Sequence, residues 1–175
     1  MSDSSETGAT PRIERVRGRL DEDAWASLRA FWQAQDALGE GQAEVRLPRV
    51  LNRLVDDEGR TVGSSSATPA RIPAIAGQWF QVYRSLIAPA FETPEQWMEM
   101  LAAGWEILGE EAERAAEPHC IGVLVPVADP AIADAWPQAI WPETRFVHAG
   151  VARNGAALRV RYFDDARIDA EAAHG

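Results

Sequence analysis

The sequence predicts one domain of the α/β (α+β) class, with a mixed central sheet flanked by helices. Segments with helical periodicity alternate with segments of strand-like composition along most of the chain. Residues 120–127 are nearly all apolar, which is typical of a strand covered by helices on both faces. The length of 175 residues suits a single domain, and the apolar fraction of 46% is ordinary for a globular protein.

The first third of the chain predicts a tail, a helix and a hairpin. Residues 1–12 are polar and acidic, a composition typical of disorder. Asp21 is a good N-cap, and the helix that follows it is expected to end at the glycines of residues 39–41. Residues 50–55 and 60–64 flank an acidic, glycine-containing turn and predict a hairpin. The apolar face of the helix consists of Trp25, Leu28, Phe31, Trp32 and Leu38.

The second strand of this hairpin can extend to Thr68, and a loop containing Pro69, Pro73 and Gly77 is expected to follow. Residues 78–87 then predict a third strand. The next helix has a clear start, because Thr93 is a good N-cap, Pro94 suits the first helical position and Gln96 completes a capping box. Its apolar stripe consists of Met98, Leu101, Trp105 and Leu108.

The last third of the chain predicts a buried strand, a short helix and a second hairpin. The buried strand is the apolar segment 120–127, and Asp129 with Pro130 marks the start of the short helix. Residues 145–152 and 157–163 read as strands joined across Asn154-Gly155, a strong hairpin signal. Residues 164–175 are polar and predict a loose tail.

The charge of the chain bears on its partners. The formal net charge is −10, whereas nucleic acids and anionic membranes are bound by basic surfaces. No apolar segment approaches the roughly 18 residues of a membrane-spanning helix. Residues 1–12 do not resemble a signal peptide. We therefore expect a cytoplasmic protein that binds neither nucleic acid nor a membrane, and the sequence leaves its oligomeric state open.

Cysteine and histidine give no sign of a metal site. Cys120 is the single cysteine, so no internal disulfide can form, and its apolar surroundings favour a buried strand residue over a reactive thiol. His119, His148 and His174 have no metal-ligand spacing with one another or with Cys120. The sequence also lacks the serine-hydrolase elbow, the phosphate loop and the His-Glu-x-x-His motif. We predict no bound metal.

The order of predicted elements resembles that of the GNAT superfamily of N-acetyltransferases over residues 13–163. Residues 54–63 resemble the family's second and third strands with their acidic turn, and residues 83–89 resemble the fourth strand entering the cofactor loop. Residues 141–146 match a segment that in the family usually contains a tyrosine. A generic α/β sandwich remains the alternative. The resemblance implies a GNAT-like domain that uses acetyl-CoA or another acyl-CoA and acylates a small amine.

The cofactor loop departs from the family pattern, in which an arginine and small residues cradle the coenzyme A diphosphate against a helix N-terminus. The alignment puts Glu92 at the arginine position, and Thr93, Glu95 and Trp97 where small residues are expected. Carboxylates repel a diphosphate, and the Thr93 cap uses donors that a phosphate would need. The cofactor-binding positions implied by the resemblance are Leu86, Ile87 and Ala88 on the strand and Glu92, Thr93, Glu95, Gln96 and Trp97 on the loop and helix.

The resemblance also implies a late tyrosine that acts as general acid toward the leaving thiolate. Trp141 matches that position, but an indole has no titratable proton at physiological pH, so a core or lid role is favoured. Tyr83 and Tyr162 are other candidates, with packing the favoured role for each. The candidate bases are carboxylates that turn formation or the helix dipole also explains, namely Glu44, Asp56, Asp57, Glu58, Glu92 and Glu95.

Two functions therefore remain open at the level of sequence. One is an acyl-CoA-dependent N-acyltransferase in which an acidic cleft receives a cationic amine. The other is a non-catalytic binding or regulatory module whose cleft is filled by Trp97 and Trp141. Trp79 and Trp136 are also expected near the cleft, where they would line an apolar pocket or a partner surface. The altered cofactor loop favours weak or absent acetyl transfer.

Overall fold

The computed structural model describes residues 10–19, 21–38, 41–115 and 119–168. In this part of the chain a seven-stranded sheet is flanked by helices. The strands are β1 (Arg12–Arg15), β2 (Val50–Val55), β3 (Thr61–Ile72), β4 (Gln78–Ile87), β5 (Gly122–Val127), β6 (Val147–Val151) and β7 (Ala157–Tyr162). The α-helices are α1 (Glu22–Ala34), α2 (Gln42–Arg46), α3 (Pro94–Arg114) and α4 (Pro130–Ala135), and short 3-10 helices span Leu47–Arg49 and Pro73–Ile75.

The sheet is mixed, as the sequence predicts. Its strand order is β1-β2-β3-β4-β5-β7-β6, and every neighbouring pair is antiparallel except β4 and β5. The parallel pair is short, because only Gln81 with Val123 and Val82 with Leu124 are in register. Beyond Val82, β4 has no paired partner on its β5 side, so the two strands part toward their carboxyl ends.

The helices cover the two faces of the sheet with separate apolar clusters. On one face, α1 contributes Leu28, Phe31 and Trp32 to a cluster with Val50, and the Trp32 indole donates to Ser64 Oγ at 3.0 Å. On the other face, α3 packs on β2 and β4. Burial of these large apolar side chains is the main stabilising contribution to such a domain. The α3 cluster includes Leu51, Leu54, Tyr83, Met100, Leu101 and Leu108.

Several predicted elements are confirmed. The first hairpin has its first strand at Val50–Val55, and β4 has the predicted bounds Gln78–Ile87. Helix α3 begins at Pro94 with Thr93 as N-cap, and α4 begins at Pro130 with Asp129 as N-cap. Strands β6 and β7 form the predicted terminal hairpin.

Other elements differ from the prediction. Helix α1 ends at Ala34, and Asp36 already has a left-handed φ of 49°, so the helix stops before residues 39–41. Strand β3 continues through Pro69 to Ile72, where a loop was expected. Proline is tolerated there because β2 pairs with β3 only as far as Ser66, so the β2 side of β3 is a free edge at Pro69.

The structure also contains elements that the sequence analysis does not predict. Strand β1 begins at Arg12, inside the segment expected to be disordered, and pairs with β2. Helix α2 follows Gly41, whose φ of 75° suits glycine. Residues 1–9 and 169–175, to which most of the two predicted tails belongs, lie outside the described residues. No described helix combines the length and the hydropathy that crossing a membrane requires.

Candidate functional site

The residues implied in cofactor binding lie together where β4 ends and α3 begins. Leu86 packs toward the α1 cluster, whereas Ile87 is buried in the α3 cluster. The Ala88 amide donates to Val62 O at 2.8 Å, and the Phe91 amide donates to Ala88 O at 2.8 Å. The chain thus turns tightly from β4 toward the start of α3, which fixes the position of the helix N-terminus.

The first turn of α3 has few backbone donors left for a ligand. Pro94 has no N–H, and the Gln96 amide donates to Thr93 Oγ1 at 3.1 Å. The Trp97 amide donates to Thr93 O at 3.0 Å, as an ordinary helical bond. Within the described residues, Glu95 is therefore the only residue of this turn whose amide forms no hydrogen bond. A diphosphate needs several such amides at once.

Carboxylates surround this helix start. The pKa of Glu92 is raised, first by partial burial and second by the negative charge of Asp129. Asp129 is the N-cap of α4, and its Oδ1 accepts from the Ala131 amide at 2.8 Å. The two carboxylates, near the starts of α3 and α4, are therefore close enough to repel each other. Both carboxylates would also repel an anion bound at this helix start.

Trp97 and Trp141 are packed against each other inside the protein. Their rings meet edge to face with centroids 5.9 Å apart, and Trp141 is only 1% exposed. The Trp141 indole donates to Trp136 O at 2.9 Å, and the Arg159 guanidinium lies 4.7 Å from its ring centroid. Both indoles belong to the core cluster that contains Ile87 of β4 together with Val125 and Val127 of β5. Trp141 is a core residue rather than an exposed lid.

Tyr83 is also a core residue by its surroundings. It is 1% exposed, and its ring lies against Gly104 of α3. Burial raises the pKa of Tyr83 far above its ordinary value, and the nearby Ser65 and Ser85 hydroxyls lower it only in part. These two hydroxyls lie near the Tyr83 hydroxyl, but within the described residues neither forms a hydrogen bond of good geometry with it, and Ser65 donates to Asn52 Oδ1 instead. Tyr162 is 42% exposed and packs near Phe80, on the face of the sheet opposite α3.

Three of the six candidate bases, Glu44, Asp56 and Glu58, form ion pairs with arginines. Glu44 forms an ion pair with Arg29 at 2.6 Å. Burial raises the pKa of Asp56, but hydrogen bonds from Arg60 and Glu58 outweigh burial, so the pKa is lowered overall. The Asp56 carboxylate accepts from the Arg60 amide at 2.9 Å and from Arg60 Nε at 2.8 Å. These carboxylates hold turns and helices in place.

Cys120 and Trp79 lie away from the end of β4. Cys120 is buried, as expected, although it precedes β5, and burial raises the pKa of its thiol to about 11. It lines a cavity of about 1090 Å³ between the second half of α3 and the end of β7. Trp79 lies at the start of β4 with its ring 4.4 Å from that of His119, so it is at the opposite end of the strand from Ile87.

A basic groove that was not predicted from the sequence adjoins β4. The groove has a volume of about 630 Å³ and lies between α2 with its following 3-10 helix and the strands β3 and β4. We call it the arginine groove, because Arg46, Arg49 and Arg84 line it. Its charge is opposite to that of the expected acidic cleft. The one feature of the sequence that points to this groove is Arg84, a charged residue within a strand that is otherwise largely apolar. Arg84 lies on the same face of the strand as Val82.

No protein-family model matches the sequence, and no curated protein matches it. Solved structures do match. Ribosomal-protein-S5-alanine acetyltransferase from Vibrio fischeri is 11% identical with a TM-score of 0.58, and the match covers 91% of this chain and 97% of that chain. The GNAT family N-acetyltransferase YhbS from Escherichia coli, solved in complex with CoA, is 14% identical with a TM-score of 0.53, covering 95% and 86%. A bacterial toxin is 15% identical with a TM-score of 0.53, covering 87% and 91%. The chain therefore has the GNAT fold, which confirms the resemblance read from the sequence at the level of fold.

Proposed function

We propose that this GNAT-fold protein is related to the acyl-CoA-dependent N-acyltransferases but transfers an acyl group to a small amine slowly or not at all. The start of α3 is the observation that carries the proposal. Of its first-turn amides only that of Glu95 lacks a hydrogen bond within the described residues, and Glu92 and Asp129 add negative charge there. Coenzyme A carries a diphosphate, so a site of this kind disfavours it.

The remaining parts of a transfer site support slow chemistry at most. The parting of β4 and β5 after Val82 leaves one side of residues 83–87 unpaired, and such backbone groups can align a thioester carbonyl. In that reaction the amine nitrogen attacks the thioester carbon and the carbon–sulfur bond breaks, and the proton that the nitrogen loses passes through water to the leaving thiolate. Neither Tyr83 nor Trp141 suits the role of acid, because the first is buried at a raised pKa and the second is an indole.

A non-catalytic binding module is the second candidate function, and the packing of Trp97 on Trp141 favours it. Both rings are buried in the cluster that contains residues from the parted ends of β4 and β5. Bulky side chains in that position leave less room for the pantetheine arm of coenzyme A. Under this alternative the fold is retained for binding, and acyl transfer is absent altogether.

Thermal unfolding with acetyl-CoA tests the proposal. A ligand at about 100 times its dissociation constant adds about 2.7 kcal/mol to the free energy of unfolding. We expect no stabilisation of the wild type by millimolar acetyl-CoA and a measurable stabilisation of Glu92→Arg. The matched control is Glu113→Arg, which makes the same charge change near the other end of α3 and should show no stabilisation. Strong stabilisation of the wild type, or weaker binding by Glu92→Arg, would contradict the proposal.

A further inference from the structure

The arginine groove gathers three guanidinium groups that pair with no carboxylate among the described residues. Arg46 comes from the end of α2, Arg49 from the following 3-10 helix, and Arg84 from β4. Within the part of the chain that the structure describes, none of the three forms an ion pair or a side-chain hydrogen bond. By contrast, Arg53 and Arg60 form ion pairs with Glu14 and Asp56. The groove therefore has positive charge to offer to a ligand.

The surroundings of Arg46 disfavour its positive charge. The pKa of Arg46 is lowered, first by partial burial and then by the positive charges of Arg84 and Arg49. The acid on α2, Glu44, is paired with Arg29 at 2.6 Å instead. Carboxylates are abundant in this chain, whose net charge is −10. Three arginines that lie together without a carboxylate partner among the described residues therefore need an explanation. A bound anion would relieve the repulsion.

The floor of the groove adds neutral donors next to the arginines. Ser66 lies directly opposite Arg84, and Thr68 directly opposite Val82, in the antiparallel pair of β3 and β4. Neither hydroxyl forms a hydrogen bond among the described residues. Guanidinium and hydroxyl groups together are a donor set suited to carboxylate or phosphate oxygens.

The size and the apolar parts of the groove indicate a small molecule. A volume of about 630 Å³ falls within the usual range for small-ligand sites. Val82 on the floor and Val45 on the wall offer apolar contact to a carbon skeleton, and Val45 is 62% exposed. A nucleic acid would extend beyond the groove onto an acidic protein surface, which disfavours it.

The groove also adjoins the place where β4 and β5 part. Val82 is the last residue of β4 in register with β5, and Arg84 follows it on the same face. At about 3.3 Å per residue, Leu86 and Ile87 lie about 7–10 Å along β4 from Arg84. An anion held by Arg84 could therefore belong to a molecule that reaches the end of β4.

We propose that the arginine groove binds a small molecule through a carboxylate or phosphate group. If the protein transfers acyl groups slowly, this carboxylate or phosphate group is part of the acceptor amine. This second part of the proposal rests on the proposed function. The site itself requires no coenzyme A. Its test is therefore made without coenzyme A, so that failure of the groove and failure of the acyltransferase proposal give different results.

Isothermal titration calorimetry of the full chain with glutarate and with inorganic phosphate tests the site. We expect at least one of the two anions to bind, and the tighter one identifies the chemical class. Arg84→Gln and Arg46→Gln should each weaken binding by about tenfold or more, since each removes a charge-assisted hydrogen bond. The matched control Arg153→Gln removes the same charge from the exposed turn between β6 and β7 and should leave the affinity within about twofold. Arg49→Gln, a change at another exposed position, provides a second groove variant if either of the others unfolds.

Four results would overturn the site. The first is that neither anion binds. The second is that Arg153→Gln weakens binding as much as Arg84→Gln, which would mean that diffuse charge is responsible. The third is that putrescine, a cationic diamine, binds as tightly as either anion. The fourth is that a single-stranded DNA oligonucleotide binds more tightly than both anions, which would make the groove part of a nucleic-acid surface.

Discussion

Replacing Gly104 by alanine tests how closely α3 packs on β4. A Cβ at this position would lie 2.8 Å from Tyr83 Cε2 and 3.3 Å from Leu51 Cδ1, and both neighbours are buried. A contact of 2.8 Å is too short for two carbon atoms, so either the helix or the Tyr83 ring must move. Gly109, on the same helix, has no atom within 4 Å of the corresponding Cβ position. The two glycines form a matched pair.

The expected magnitudes follow from two opposing effects. Alanine stabilises a helix interior by about 0.5–1 kcal/mol relative to glycine, and this gain applies at both positions. Overpacking a rigid core costs about 1–3 kcal/mol and applies at Gly104 alone. We expect Gly109→Ala to raise the free energy of unfolding. The free energy of unfolding of Gly104→Ala should be lower than that of Gly109→Ala by about 1–3 kcal/mol. Urea denaturation measures both, and equal stabilisation by the two substitutions would refute the packing of Tyr83 against α3.

Three further predictions follow from buried groups. Tyr83→Phe removes a buried hydroxyl without a hydrogen bond, so it should raise the free energy of unfolding in urea by about 1 kcal/mol; a loss of stability would mean that the hydroxyl is bonded. The pKa of Asp56 is lower in the folded than in the unfolded protein, so its contribution to stability is present above its unfolded pKa and is lost as pH falls through the folded value. Thermal unfolding at several pH values measures how much Asp56→Asn destabilises the protein. This destabilisation should shrink in acid, and a stability difference that does not change with pH would contradict the prediction. Burial raises the pKa of Cys120 to about 11, so iodoacetamide at pH 8 should alkylate the native protein much more slowly than the urea-unfolded chain, and equal rates would show an accessible thiol.

Local signals in the sequence predict the start of α3 and the bounds of β4. Thr93, Pro94 and Gln96 carry capping information within four residues, and the observed bond from the Gln96 amide to Thr93 Oγ1 agrees with it. Gly77 and Pro89 flank the strand-like segment that forms β4, and residues of these types commonly mark the ends of a strand. Elements of this kind can be predicted because the residues that determine them are adjacent in the chain.

Elements that depend on distant residues were missed. Strand β1 is stabilised by pairing with β2, and its own sequence, Arg-Ile-Glu-Arg, gives little indication of a strand. The continuation of β3 through Pro69 depends on where β2 begins, which no local rule contains. In both cases tertiary context outweighs local propensity.

The candidate site was predicted in part for the same reason. The altered residues Glu92 and Thr93 could be read from the cofactor loop, because the resemblance supplies the expected pattern. The repulsion of Glu92 by Asp129 and the packing of Trp97 on Trp141 bring together residues far apart in the chain. The arginine groove is assembled from α2, a 3-10 helix and β4, so its charge could not be seen before the chain was folded.

The most direct measurement is a crystal of this protein soaked in millimolar coenzyme A. We predict that no diphosphate is bound at the amides of Glu95, Gln96 and Trp97, and that Thr93 Oγ1 still accepts from the Gln96 amide. Phosphate oxygens hydrogen-bonded to those amides, with the Thr93 hydroxyl turned away and Glu92 displaced from Asp129, would contradict it.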